Sequence, residues 1–535
     1  MAPMATHPTT HSWRSVRWAC EDDLGHPHRV AVSAGLSVIV VLGAALRWSY
    51  IGQESLWFDE AWSWRSAHLS LSELWTEALD LHPPLYYSLQ RLWLAFGQTE
   101  AALRSLSAVL GTSSIVLAFL LGRSVLDSRA GLVAALLTAT SVLQVAYSQE
   151  ARSYSLLAAT ALLVSLAMVA ILRLDGERLM KAWSTLLGYV LSMLAALYTH
   201  NIAALLFVVA GAVGLLRAVE IRSLRFALAW CVLNGIVVIG WAWWLPVVVS
   251  QSQGSVLGWQ ASLSIGTAVA DLRTVYGEPL VWHFQLFADF LLPCLAIAGA
   301  IIMRRQRMVT LYLLAVVVGI PAMEIAISFA GKAIFMSRSI VWLAPIYFVL
   351  AAAPFARLHA FVGVPLLLLV ASTQLVAVYH YYGVASTNYA LPHKDEPWRG
   401  LVSYMVPHLC DGDIILLMPM VYDAPFSFYF HGAAARDLRI LGVTDGRKGR
   451  LSDPRLVQIT QVDASGIERI SASAGRIWLV GRQTPDSGAT EREAAVRAML
   501  SRGRSEMATH ADRNLRVDLL AKPSSANGIS CPPVK

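Results

Sequence analysis

Runs of about 20 apolar residues recur along most of this chain, and they constrain its fold more than any other feature, because that is the length an α-helix needs to cross a bilayer. About eleven can be read: near 30 to 50, 103 to 122, 131 to 147, 155 to 172, 183 to 199, 202 to 217, 226 to 249, 283 to 303, 308 to 329, 339 to 356 and 361 to 382. Composition agrees, with 56% hydrophobic and 14% charged residues where a soluble domain carries about 25% charged. The chain reads as a mostly α-helical, polytopic membrane protein. Its net charge of +7 does not point to nucleic acid, since the basic residues are scattered between apolar runs and form no stripe. The first run is of full span length and lacks a small-residue cleavage site, so it reads as a span and not as a signal peptide.

Loop charges set the sidedness. Residues 83 to 97 (PPLYYSLQRLWLAFG) are apolar but short, open with two prolines and contain Gln90 and Arg91, which fits a helix lying along the interface. With that segment left outside and the amino terminus inside, the inner loops collect Arg123 and Arg129; Arg173, Arg178 and Lys181; Arg217, Arg222 and Arg225; Arg304, Arg305 and Arg307; and Arg357. Counting it as a span would turn every later arginine-rich loop outward. An odd number of spans also carries everything after residue 382 to the extracytoplasmic side.

The organisation that follows is a cytoplasmic segment over 1–29, a transmembrane module over 30–382 with a first outer loop at 51–102, and an extracytoplasmic α/β domain over 383–535. In that last domain DGDIILLMP and GRIWLVG read as buried strands, and KDEPWRGLVSYM and EREAAVRAMLSR as helices. The five cysteines form no CxxC pair; Cys410 and Cys531 would pair only in an oxidising, extracytoplasmic setting.

Polar residues then sort onto the outer face. Asp59 and Glu60 follow the first span in LWFDEAWS, and carboxylates at the mouth of a span are costly unless kept for a partner, an ion or a reaction. With them come Asp80, His82, Glu150, Arg152, Tyr154, His200, Lys332 and Arg338. Singly each has a plain explanation, such as a capping histidine, an Arg152–Glu150 ion pair or snorkelling cations. Their convergence on one surface points to chemistry there.

Four stretches carry a family resemblance: LWFDEAWS, DLHPPLYYSLQRLWLAFG, the arginine of EAALRSLSAVLG, and YSQEARSYSLL. Together, and in this order, they resemble the membrane glycosyltransferases of the GT-C fold, in the bacterial branch that includes dolichyl-phosphate-mannose protein mannosyltransferases and the aminoarabinose transferase of lipid A. The resemblance covers roughly the first 200 residues well and extends more loosely to the KDEPWR…GDIILL domain. It implies a bacterial inner-membrane enzyme that takes a sugar from a polyprenyl-phosphate carrier and gives it to a hydroxyl on a lipid, glycan or protein, outside the cytoplasm. Asp59 matches the family's base, with Glu60 and Glu150 in the catalytic set. His82, Arg152, Tyr154, His200, Lys332 and Arg338 would bind substrate, the two last as phosphate cations. His82 stands where the lipid A enzyme has a lysine, and Leu81 where it has an acidic metal ligand. Asp80, His82 and Glu150 are the residues left for a divalent ion, and no cofactor is otherwise implied. A flippase of lipid-linked sugars and a pentosyl (arabinofuranosyl) transferase are the alternatives; the first would place polar groups in mid-span and show repeated halves.

Overall fold

The computed structural model describes residues 26–76, 82–253, 263–277, 285–331, 333–383, 396–418, 422–430, 438–444, 456–460, 474–482 and 490–523. The first third of the chain folds into α1 (His26–Trp48), α2 (Phe58–Ala67), α3 (Leu71–Thr76), α4 (Leu85–Trp93), α5 (Glu100–Val125), α6 (Ser128–Thr140), α7 (Val142–Ser148) and α8 (Tyr154–Ile171). Two of these helices start where a short polar side chain holds an end N–H. Thr99 accepts from the Ala102 amide at 3.2 Å to open α5, and Asp127 from Ala130 at 2.9 Å to open α6.

Among the described residues eight helices are long and apolar enough to cross a membrane, or nine with the bent pair α6–α7 taken as one crossing. The expected count of about eleven is not confirmed among these residues. The runs near 183 to 199 and 283 to 303 are helical but fall outside that count, as Trp183–Leu197, with 15 residues, and Gln285–Ile302, which contains Pro293. The segment expected to lie along the interface is α4, whose nine residues are too few to span. Of the amino-terminal segment expected in the cytoplasm, residues 1–25 lie outside the described residues.

Helix α8 and the Ser337–Ala356 segment are almost wholly buried at the centre of the bundle, whereas α1 lies at its edge. Its exposed Val38 and Val41 are surface suited to lipid. Small residues let neighbouring helices touch: a Cβ added to Gly131 of α6 would fall 2.7 Å from the Phe119 carbonyl oxygen of α5.

The 60° bend between α6 and α7 breaks the helical ladder inside the bundle. Arg47 fills the break: fully buried, it donates to the carbonyls of Thr138 (2.9 Å), Ala139 (3.1 Å) and Gly43 (3.0 Å) and to the Ser148 hydroxyl (3.1 Å). A cation at the carboxyl end of α6 also meets the negative end of its dipole. Arg47→Ala is expected to lower the stability of the detergent-purified protein by about 2–4 kcal/mol, through orphaned carbonyls and a cavity. An unchanged thermal midpoint would show that something else holds the bend.

The carboxy-terminal region forms a six-stranded sheet from β1 (Ile414–Leu417), β2 (Arg439–Thr444), β3 (Leu456–Thr460), β4 (Arg476–Arg482), β5 (Ser505–Asp512) and β6 (Leu515–Ala521), ordered β3-β2-β1-β4-β6-β5. The first four strands are parallel, and β6 runs antiparallel to both β4 and β5. Along β1 the side chains alternate: Ile415 and Leu417 enter a core with Trp398, Phe426 and Trp478, while Ile414 and Leu416 enter the opposite one with Val496 and Leu500. Helices on both faces explain why the strand reads as an unbroken apolar run. Cys410 is disulfide-bonded; Cys531 lies outside the described residues.

Candidate active site

The site grows from the first turn of α2, where Phe58, Asp59 and Glu60 follow one another and point different ways. Glu60 turns inward and is fully buried. Its oxygens receive Nε and Nη2 of Arg104, both at 2.7 Å, together with the amides of Ala151 (3.0 Å) and Trp57 (3.4 Å). Arg104, on α5, spends its remaining N–H groups on the carbonyls of Ile51 and Glu54 (both 2.9 Å) and Ser55 (2.8 Å). This planar fork against a carboxylate ties the loop after α1 to α5 and to the QEAR turn.

Asp59, one residue earlier, keeps 21% of its side chain exposed. Its Oδ2 lies 3.2 Å from Nη1 of Arg338, at the head of the Ser337–Ala356 segment. The Asp59 carbonyl accepts from Nη1 of Arg152 at 3.2 Å, and the same nitrogen is 3.3 Å from the Tyr87 hydroxyl. Carboxylate and two guanidinium groups thus converge from segments far apart in sequence.

Around them stands an aromatic wall. The His82 ring lies 4.4 Å from that of His200, which is 6.2 Å from Tyr154, itself edge-on to Tyr147 at 5.1 Å. The His-Pro-Pro corner reaches this place because the Leu85 amide donates to the Tyr198 carbonyl at 3.0 Å. Nδ1 of His200 accepts from the Ile202 amide at 3.2 Å, which leaves its ring proton on Nε2. Burial, followed by the positive charges of Arg152 and Arg338, pushes the His82 imidazole well below its ordinary value. At neutral pH His82 is therefore uncharged and offers a donor and a lone pair, where a lysine would offer a charge. Glu150 is buried.

The structure thus gathers Asp59, His82, Arg152, Tyr154, His200 and Arg338, with Glu150 beside them, and sets Glu60 behind them as an internal anchor. Asp80 and Lys332 lie outside the described residues. Among the described residues no three of His, Cys, Asp and Glu form a metal-binding group. Three partners were missed from sequence. Tyr87 sat in the quoted HPPLYY stretch, and Arg104 was noted in EAALRSL without a role; a lone arginine near the start of an apolar run was the available signal. Gln149 sat in the quoted YSQEAR stretch, and its amide donates to the carbonyls of Arg47 (3.1 Å) and Ser49 (2.7 Å) and closes the end of α1.

An apolar groove of about 730 Å³ opens nearby, lined by Leu272, Tyr276, Pro293, Ile297, Val318 and Tyr347 among others. Arg273, Asp289 and Arg304 are the charged residues in its lining. None of the polar cluster lines it. The connection runs through the Ile265–Tyr276 helix, where burial raises the Asp271 carboxyl and hydrogen bonds from Ser337, the neighbour of Arg338, lower it.

Residues 81–244 match the family model described as dolichyl-phosphate-mannose-protein mannosyltransferase. No curated protein sequence matches. Among solved structures, ArnT from Cupriavidus metallidurans in the apo state is similar at 14% identity and a TM-score of 0.60, over 93% of this chain and 99% of that one. The same protein bound to undecaprenyl phosphate gives 15% identity and 0.58, over 93% and 98%. The archaeal oligosaccharyltransferase AglB from Archaeoglobus fulgidus, in complex with an inhibitory peptide and a dolichol-phosphate, gives 12% and 0.51, over 85% and 70%. At such identities the likeness concerns the fold. The matched stretch contains the His-Pro-Pro corner, the QEAR turn and His200, and over nearly its whole length the chain shares the GT-C fold of the ArnT structures.

Proposed function

We propose that the protein transfers a sugar from a polyprenyl-phosphate carrier to an acceptor hydroxyl on the extracytoplasmic side, in one inverting displacement with Asp59 as the base. The observation that carries this reading is the pairing of a partly exposed carboxylate with a cation, Asp59 with Arg338 at 3.2 Å, beside a second guanidinium. Asp59 takes the proton of the acceptor hydroxyl as its oxygen attacks the anomeric carbon. The bond from that carbon to the phosphate oxygen breaks, and the negative charge left on the lipid phosphate is met by Arg338 and Arg152. A base and a place for departing charge suffice, so no sugar–enzyme bond is needed.

Glu60, grouped with the catalytic acids from sequence, acts in this reading as the strut that fixes α2, since Arg104 and two backbone amides engage its carboxylate. Glu150, His82, Tyr154 and His200 line the sugar and acceptor side, and Lys332 is a further phosphate cation. The groove beside the Ile265–Tyr276 helix suits an isoprenoid tail, being roomy and lined mostly by apolar side chains. The bound lipids named for the ArnT and AglB structures, undecaprenyl phosphate and dolichol-phosphate, are of that chemistry. The disulfide at Cys410 and the arginine-rich inner loops both favour an extracytoplasmic outer domain in a bacterial inner membrane.

A broken crossing such as α6–α7 is a feature that transporters of lipid-linked sugars would use, but Arg47 occupies the break and spends its donors on the backbone. The test is to offer the purified protein a panel of polyprenyl-phosphate hexoses and pentoses with lipid, glycan and peptide acceptors. One donor is expected to be consumed with its sugar moved to an acceptor. Folded protein that consumes none would overturn the proposal.

A further inference from the structure

The outer domain touches the membrane module at the turn that carries Asp59. Phe58 is the first residue of α2, and its amide belongs to the first turn, where N–H groups have no partner within the helix. That amide donates at 2.9 Å to Oε2 of Glu396, which lies 338 residues along the chain and in the outer domain. Glu396 is 6% exposed, and the same oxygen accepts from Nε1 of Trp398 at 3.0 Å. Trp398 is fully buried in the core that covers one face of the sheet, so the carboxylate is anchored to the outer domain's interior.

The next residue completes the grip. Arg399 reaches Oε1 of Glu100 through Nη2 (2.6 Å) and Nε (2.9 Å), and the carbonyls of Gln53 and Gly52, both at 3.1 Å. Tyr429 accepts from the Leu56 amide at 2.7 Å and donates to Glu100 at 3.0 Å. The Phe58 side chain packs against the outer domain's core. Three consecutive residues are thereby held from three directions: Phe58 by the outer domain, Asp59 by Arg338 and Arg152, and Glu60 by Arg104.

We infer that Glu396 is a positioning residue for Asp59, and that through the Glu396-Pro397-Trp398-Arg399 stretch the outer domain completes the active site. A carboxylate at the amino end of α2 satisfies an orphan N–H and complements the helix dipole, and it fixes the direction in which the second residue of the helix presents its side chain. The inference rests on the reading of Asp59 as the base. It gives the EPWR stretch a purpose that substrate contact does not supply.

The test uses the full-length protein in lipid nanodiscs with Glu396→Ala, Glu396→Gln and Trp398→Phe. Glu396→Ala is expected to lower kcat by about tenfold or more while the donor KM stays within about threefold, the signature of misplacement and not of lost binding. Glu396→Gln keeps an oxygen for the Phe58 amide and is expected to retain most of kcat. Hydrogen exchange of the peptide spanning Leu56 to Trp62 is expected to quicken in the alanine variant and to stay slow in the glutamine one. Wild-type kcat in Glu396→Ala, unaltered exchange there, or a glutamine variant as inactive as the alanine one would each overturn the inference. Should Glu396→Ala fail to fold, Trp398→Phe decides, since it removes the indole donor that steadies Glu396: faster exchange at α2 supports the clamp and unchanged exchange overturns it. Exchange needs no turnover, so a wild-type protein that transfers no sugar would sink the transferase reading and leave the clamp to be judged separately.

Discussion

Asparagine in place of Asp59 is expected to abolish transfer, lowering kcat by about a thousandfold or more, the upper range for loss of a general base. The substitution is nearly isosteric, and its amide oxygen can still accept from Arg338, which stands 3.2 Å from Oδ2. What it removes is the capacity to take a proton from the acceptor hydroxyl. Because the site chain is one-fifth exposed and α2 is fixed by Glu60 on its other side, the variant should insert and fold as the wild type does. Thermal unfolding and donor binding would therefore be unchanged while turnover disappears. Ordinary turnover by a folded Asp59→Asn protein would remove this residue as the base.

The second large effect concerns the neighbouring acid and is of the opposite kind. Glu60→Gln or Arg104→Met breaks an ion pair whose side chains are 0% and 2% exposed, and leaving one such charge without its partner costs about 3–5 kcal/mol. Arg104→Met should be the worse of the two, because it also strands the carbonyls of Ile51, Glu54 and Ser55. The expected result is poor yield and a lowered thermal midpoint, with activity lost along with the fold of the first outer loop. Two adjacent carboxylates would thus separate cleanly, one by kcat at full stability and the other by stability itself. An Arg104→Met protein as stable as the wild type would contradict this division.

That division was hidden in the sequence. Asp59 and Glu60 read as one acidic pair, yet successive helical residues point about 100° apart, and only the position of Arg104 on a helix that begins 40 residues later in the chain (Glu100 against Glu60) decides which faces inward. The strands IILL and RIWLVGR and the helices that flank them were legible, since apolar runs of strand length between turn residues leave little choice. So was the gathering of His82, Arg152, His200 and Arg338, because loop charges alone sorted them to one side. The number of crossings was less legible. Apolar length in the sequence does not reveal that the run near 131 to 147 bends by 60° at Ser141, or that the run near 183 yields a helix of 15 residues. Glu396 was out of reach, since it follows Asp395 in a distant part of the chain with no spacing to connect it to Phe58.

The most direct measurement follows a donor labelled with ¹³C at the anomeric carbon, presented as the only sugar source to the purified protein with an acceptor. The account predicts that the label leaves the lipid and enters a glycosidic bond of inverted configuration, with one polyprenyl phosphate released for each sugar transferred. Label that stays on the lipid while the lipid changes leaflet, or a product that retains the donor's configuration, would contradict it.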